Sequence, residues 1–505
     1  MTDFKFYPRL HGDRRAFFNM RAKPASHWEE LGRKMMIRLF RFTCSNVPAY
    51  RAHLAANKIA VSSVNKFGDY RRLPVTDKGT YLRRYNFLDL LPYGTLSRVT
   101  TISATSGSTG EPLYFPRGEE HDAIYKCMSE LFLANQFGVN NKKTTLGIVG
   151  FGLGIWIGGI FTYKNFNRIA AEGYNISLAP IGPNINLYLE TVKNIAPYFD
   201  QVILMGYPPF IKDVIDQAGK KGIRWGDYNL KILTAAEGYS EKFRDYIIKK
   251  ASIKNPLLDI VNIYGSVELG TMAHETPLAN LIRRMANRDS KVFREIFPRA
   301  QRMPTLAQYY PHMIYFEEVN GEVLGSGYGS SIPLLRYRFP DMGGVIPFDT
   351  MLRKLNNIGV DIISEAQKFK IQNTILKLPF VYVEGRSDYH AKLRLHDVYP
   401  EIIRDALINN KLNKFLTGKF AMLVKNDRKQ NQYLEINIET KIGQKITRDA
   451  KKTAHRRIIE AMGSKISGPG GHPDFLGETG VVQLVFWPAE HPLYFKSGAK
   501  QKWII

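Results

Sequence analysis

Gln201-Val202-Ile203-Leu204-Met205 and Leu230-Lys231-Ile232-Leu233-Thr234 are short apolar runs rich in β-branched residues, and each is followed by a helical pattern, at 210–220 and at 241–250. Runs of this length read as buried strands. Strands that alternate with helices specify an α/β domain, and the same texture extends from Val99 to about Gly344.

Toward the N-terminus, Arg98-Val99-Thr100-Thr101-Ile102-Ser103-Ala104 is a further β-branched run, and it leads into Thr105-Ser106-Gly107-Ser108-Thr109-Gly110-Glu111-Pro112. Glycine lets backbone N–H groups approach an anion and the hydroxyls add donors, so this loop reads as a phosphate cradle. It lacks the Gly-Lys-Ser/Thr ending of the common P-loop, which disfavours that family. A Gly/Ser/Thr octet taken alone is also an ordinary surface turn.

The stretch Thr144 to Tyr163 holds no charged residue and is long enough to cross a bilayer. Six glycines in it (Gly147, Gly150, Gly152, Gly154, Gly158, Gly159) oppose a spanning helix, so it reads as a buried strand and a Gly-rich loop beside a ligand. No membrane span is expected. Near the start of the chain, Leu31, Met35, Leu39 and Phe42 recur at helical spacing within 28–44, and Val47-Pro48 ends that pattern. Arg283, Arg284, Arg288, Lys291, Arg294, Arg299 and Arg302 lie on a basic helical piece that reads as a solvated face. The texture shortens near Gly385, which places a boundary between a 1–384 domain and a 385–505 domain.

Composition bounds the partners. The chain has 505 residues, and Lys+Arg of 71 against Asp+Glu of 46 give +25, a charge that favours anions such as nucleotides or an acidic carrier protein. The basic residues are scattered, without the tracts expected of nucleic-acid binding, so no nucleic acid is expected. Two cysteines exclude a disulfide framework and a four-cysteine zinc site, and with no apolar N-terminal signal a cytoplasmic protein is expected.

Four more segments follow the phosphate loop in order: Ala235-Ala236-Glu237-Gly238, Tyr264-Gly265-Ser266-Val267-Glu268, Pro333 to Asp341, and Gly385-Arg386-Ser387-Asp388. Their order and content resemble the adenylate-forming enzyme superfamily, specifically the phenylacetate-coenzyme A ligase family, from Val47-Pro48 and Leu73-Pro74-Val75-Thr76-Asp77-Lys78 to the C-terminus. The resemblance implies a large N-terminal adenylate-forming domain of ATP and acyl binding and a smaller mobile α+β C-terminal domain. It implies that Thr105, Ser106, Gly107, Ser108, Thr109 and Gly110 bind ATP together with Ala236, Glu237, Tyr264, Gly265, Ser266, Asp341 and Arg386. An aromatic such as Tyr264 can stack on adenine, and Asp341 offers two acceptor oxygens to the ribose hydroxyls. Glu268 matches a Mg²⁺ ligand, Asp388 the hinge, and Lys500, in Ser497-Gly498-Ala499-Lys500-Gln501-Lys502-Trp503, the catalytic cation. Phe151, Trp156, Tyr207 and Phe210 lie in segments resembling the acyl site, which suits an aryl or apolar acid, and they are equally compatible with core packing.

Two departures bear on mechanism. Val267 replaces a hydroxyl residue before the motif glutamate, and Leu395 stands where relatives usually have a glycine lining the pantetheine tunnel. The reading is ATP-dependent activation of a carboxylic acid to an acyl-adenylate, then transfer to coenzyme A. Transfer to an amine or a carrier protein, and a degenerate nucleotide-binding protein, remain alternatives.

Overall fold

The computed structural model describes residues 19–504 other than 106–110, 301, 387–390, 394–395, 428–430, 466–475, 477–479 and 496–500, and at 386, 392, 396, 397 and 465 the backbone alone. The readings made at Ser106, Gly107, Ser108, Thr109, Gly110, Asp388, Leu395 and Lys500 lie outside the described residues. Two compact units divide the chain: one takes it up to Ile211, with Gln217–Gly238 and Ala251–Gly385, and the other takes Lys212–Asp216, Tyr239–Lys250 and Arg386–Ile505.

The first unit begins its strands with an antiparallel hairpin of β1 (Thr101–Ala104) and β2 (Tyr114–Arg117). Its main sheet contains β3 (Thr145–Val149), β4 (Ile176–Ala179), β5 (Gln201–Gly206), β6 (Leu230–Ala235), β7 (Ile260–Ser266), β8 (Gly270–His274), β9 (Thr305–Gln308), β10 (Ile314–Val319), β11 (Glu322–Gly327), β12 (Leu334–Ile346) and β13 (Phe380–Arg386). The 11 strands are ordered β10-β11-β12-β13-β9-β8-β7-β6-β5-β3-β4. Neighbours among β4, β3, β5, β6 and β7 pair in parallel, whereas β7–β8, β8–β9, β9–β13, β10–β11 and β11–β12 are antiparallel.

The parallel half arises because each strand is followed by a helical pattern. Helices Ile157–Ala171, Ile185–Ile195 and Pro208–Gln217 return the chain for the next strand, and proline at the first turn of the last suits an N-terminus that needs no N–H there. Every residue of β5 is buried, as expected of a central strand covered on both faces. Phe132, Phe166, Ile169, Ile203, Met205 and Leu233 form one apolar layer against the sheet. In the antiparallel half, helix Ala25–Asn46 buries Met35, Met36, Leu39 and Phe40 in a cluster with Tyr310, Met313, Phe316 and Tyr337.

Two sequence expectations are met in part. The uncharged stretch at 144–163 is β3, a loop, and the opening of helix Ile157–Ala171; no helix among the described residues is long and apolar enough to cross a membrane. The basic piece at 278–302 forms helices Pro277–Arg288 and Ser290–Ile296, and Arg288, Lys291, Arg294 and Arg299 are exposed as a solvated face requires. Arg283 is not: its side chain is buried, donating to the Pro304 carbonyl at 2.8 Å with Glu275 at 3.4 Å.

The second unit contains a hairpin of β14 (Ala391–Leu393) with β15 (His396–Val398) and a sheet of β16 (Leu416–Asn426), β17 (Gln432–Thr440) and β18 (Val482–Trp487), ordered β16-β17-β18. Helices Pro400–Leu407 and Arg448–Lys465 share its core through Ile403, Ala454, Ile458 and Met462. Residues 501–504 pack against this core. Met422 N donates to the Trp503 carbonyl at 2.7 Å, and the Trp503 ring lies against Phe420 with Arg404 over it.

Candidate functional site

Parallel pairing sets the carboxyl ends of β3, β5, β6 and β7 side by side, so the segments that follow these strands line one edge of the sheet. In open α/β sheets this edge is where ligands bind. Phe151 follows β3, Tyr207 follows β5, Ala236 and Glu237 follow β6, and Tyr264, Gly265 and Ser266 end β7.

The structure joins Tyr264 to Asp341, which β12 carries: the phenol donates to Asp341 Oδ2 at 2.5 Å. Burial, and then the carboxylate charge, push the Tyr264 phenol well above its ordinary range, so it stays protonated and remains a donor. Phe316 stacks near the ring, with centroids 5.9 Å apart and planes 26° from parallel. Ala236 sits exposed at φ +78°, a left-handed conformation that L-residues seldom adopt and that marks a tight turn at the end of β6. Asn262, on β7, braces this turn by donating to the Glu237 carbonyl at 3.1 Å, and its side-chain oxygen accepts from Thr234 at 3.0 Å.

The turn after β7 is equally constrained. A Cβ at Gly265 would lie 2.7 Å from the Gly270 carbonyl, so glycine is required there, and Ser266 Oγ accepts from Leu269 N at 3.2 Å. Glu268 is buried, with Lys78 Nζ 3.8 Å from its Oε1 and the Tyr337 hydroxyl at 3.4 Å. Arg117, fully buried at the end of β2, donates to the carbonyls of Gly329, Phe115 and Val267. Burial lowers its pKa to about 10, and the Glu268 charge opposes that drop. Val267, which has no side-chain hydroxyl, thus contributes its backbone to the positioning of a cation beside Glu268.

Thr105 closes the mouth of its loop: its hydroxyl accepts from Leu113 N and its N–H donates to the Leu113 carbonyl, both at 2.9 Å. Ala104 N donates to the Ile155 carbonyl at 3.2 Å, tying β1 to the glycine-rich loop after β3. The proposed acyl residues divide. Phe151 and Phe210 are buried and Tyr207 is half-buried, with Tyr207 and Phe210 stacked at 6.0 Å, whereas Trp156 is exposed. A Cβ at Gly150 would meet the Phe210 ring at 2.6 Å, so the loop and that ring are in close contact. The side chain of Arg386 is outside the described part.

Arg117 and Asn262 were not singled out from sequence, and Lys78 and Tyr337 lay within quoted motifs without an assigned role. Asn262, a lone polar residue inside an apolar strand, carried a readable signal; the other three become visible only through partners distant in sequence. Among the described residues no group of three or more His, Cys, Asp or Glu forms a metal cage. One buried carboxylate completed by ligand oxygens is nevertheless a donor set that Mg²⁺ accepts.

No family model and no curated protein matches the sequence. Solved structures do resemble the fold. The chain superposes on 2-hydroxyisobutyryl-CoA ligase in the postadenylation state, in complex with R3-HIB-AMP, with TM-score 0.65 and 14% identity over 96% of this chain and 91% of that one. The open conformation of that ligase, in complex with 2-HIB-AMP and CoA, gives TM-score 0.53 and 13% identity over 96% of this chain and 93% of that one. The chain therefore shares the fold of this ligase, a mixed α/β unit with a large sheet and a smaller C-terminal sheet unit.

Proposed function

We propose that this protein activates a carboxylic acid with ATP, forming an acyl-adenylate and releasing pyrophosphate, and then transfers the acyl group to coenzyme A. The observation that carries the reading is the Tyr264–Asp341 pair, set at the carboxyl edge of the parallel strands beside the Ala236–Glu237 turn and near buried Glu268. In this reading the Tyr264 ring takes adenine, with Ala236 and Glu237 as the neighbouring wall. Asp341 accepts from the ribose hydroxyls through the lone pairs that Tyr264 leaves available.

A carboxylate oxygen of the acid attacks the α-phosphorus of ATP, the bond to the bridging oxygen breaks, and pyrophosphate leaves with that electron pair. The nucleophile is already anionic, so no protein base is needed and catalysis rests on alignment and charge stabilisation. Glu268 would hold Mg²⁺ together with phosphate oxygens, and the ion when bound neutralises phosphate charge. On the resemblance of its terminal segment, Lys500 is the cation for charge developing in adenylation, and Arg386 and Asp388 are a ribose contact and a hinge. Phe151, Tyr207 and Phe210 support an aryl or apolar acid. In the second step the coenzyme A thiol displaces AMP, giving the thioester.

Carboxylate-dependent exchange of pyrophosphate into ATP, with Mg²⁺ and a panel of aryl and aliphatic acids, tests the first step. Exchange confined to one class of acid, and lost in Lys500→Ala, is expected. ATP binding without exchange for any acid overturns the reading in favour of a nucleotide-binding protein. Adding coenzyme A, an amine or a carrier-protein thiol to the active mixture then identifies the acceptor.

A further inference from the structure

Lys78 places its ammonium 3.8 Å from the buried carboxylate of Glu268. Lys78 opens the short turn Lys78–Leu82, and Asp77 caps it: Oδ1 accepts from Thr80 N at 2.7 Å and from the Thr80 hydroxyl at 2.8 Å. Just upstream, Thr76 is stitched to β12. Its N–H donates to the Arg336 carbonyl at 3.1 Å, its hydroxyl donates to the Leu335 carbonyl at 2.9 Å, and Arg338 N donates to its carbonyl at 2.8 Å. The strand that carries Asp341 therefore also sets the backbone from which Lys78 projects.

The far end of this turn reaches the 105–112 loop, where an Arg83 guanidinium N–H donates to the Glu111 carbonyl at 3.2 Å. The Lys78 side chain is 36% exposed while that of Glu268 is 8% exposed, and they stand 3.8 Å apart. That distance exceeds the 2.7–2.9 Å of a close charge-assisted hydrogen bond, so this ammonium is near the carboxylate without being bound tightly to it. Arg117, whose charge is felt by Glu268, directs its donors to three backbone carbonyls instead.

We propose that Lys78 is a phosphate ligand: its ammonium binds the β- and γ-phosphates of ATP, and the pyrophosphate they become, supplying a donor that Val267 cannot. This rests on the adenylation reading. The assignment differs from a purely structural ion pair because AMP, which lacks both phosphates, should not sense the lysine.

The test compares Lys78→Ala and Lys78→Arg in the full chain, with direct binding of Mg-ATP and of AMP alongside the pyrophosphate KM in the exchange assay. In Lys78→Ala the ATP dissociation constant and pyrophosphate KM rise at least tenfold, Lys78→Arg recovers part of the loss, and AMP affinity and thermal unfolding stay as in the wild type. Equal loss of ATP and AMP affinity assigns Lys78 a structural role and overturns the proposal, as does no change in either. If the wild-type protein shows no exchange, the adenylation reading fails, and the ATP-against-AMP comparison still decides Lys78.

Discussion

The phenol of Tyr264 donates to Oδ2 of Asp341 across 2.5 Å, joining residues 77 positions apart in the chain. A hydrogen bond to an ionised group contributes about 1.5–3 kcal/mol. It also fixes the orientation of the carboxylate, since the half-buried phenol is held by this bond.

Tyr264→Phe keeps the ring and removes that donor, so the ATP KM in the exchange assay should rise about tenfold, the equivalent of about 1.4 kcal/mol. Asp341→Asn, which leaves one acceptor oxygen in place of two, should raise it at least as much. An unchanged KM in both would remove these residues from the nucleotide site.

Arg283 is buried with Glu275 at 3.4 Å, and the same carboxylate accepts from Asn262 N at 3.1 Å. Arg283→Leu strands a buried charge, and urea denaturation should show a loss of about 3–5 kcal/mol. Substitution of exposed Arg288 on the same helix should change stability by less than about 0.5 kcal/mol.

Burial holds His121 neutral down to a pKa of about 3, and His274 and His312 down to about 4, from an ordinary 6.5. Below pH 6.5 the unfolded chain binds protons that the folded chain refuses, so stability rises with pH from about 4 to 6.5 and is then level for these groups. Each contributes up to about 1.4 kcal/mol per pH unit within that window. Chemical denaturation at several pH values should show this slope, and His312→Phe, which preserves the stack on Trp28 at 5.7 Å, should reduce it.

A Cβ at Gly329 would fall 1.9 Å from the Leu269 carbonyl, one residue beyond Glu268, and the Gly329 carbonyl accepts from Arg117 Nε at 3.2 Å. Gly329→Ala must therefore displace the turn that carries Glu268. Expected outcomes are an overpacking cost of about 1–3 kcal/mol by denaturant titration and a lower exchange rate at saturating ATP.

The parallel half of the sheet was legible because each strand signal, as at Gln201–Met205, is local and is followed by its own helical period. The helix at 241–250 was read with the bounds Glu241–Lys250 that the structure has. The helix opening at Ile157 was missed, since Gly158 and Gly159 lower helix propensity in its first turn; Gly159 is needed there because a Cβ would lie 2.4 Å from the Gly152 carbonyl. Arg283 was read as solvated because its basic neighbours are, while its carboxylate partner lies on an earlier segment. Tyr264 and Asp341 were each visible as residues of interest, but their direct bond depends on pairing across the sheet that no periodicity encodes.

The bridge between Thr76 and Tyr337 imposes a rule on chain length. The exposed stretch at 60–63 can gain or lose residues at little cost, because it lies at the surface and slack there is absorbed before the chain reaches Thr76. One residue added between Thr76 and Lys78 would instead advance the ammonium by about 3.3 Å and turn it to the opposite side of the extended chain. Insertion scanning across 57–82 should therefore find tolerance confined to 60–63, since Val64, Tyr70 and Leu73 are buried and Thr76 is paired beyond them.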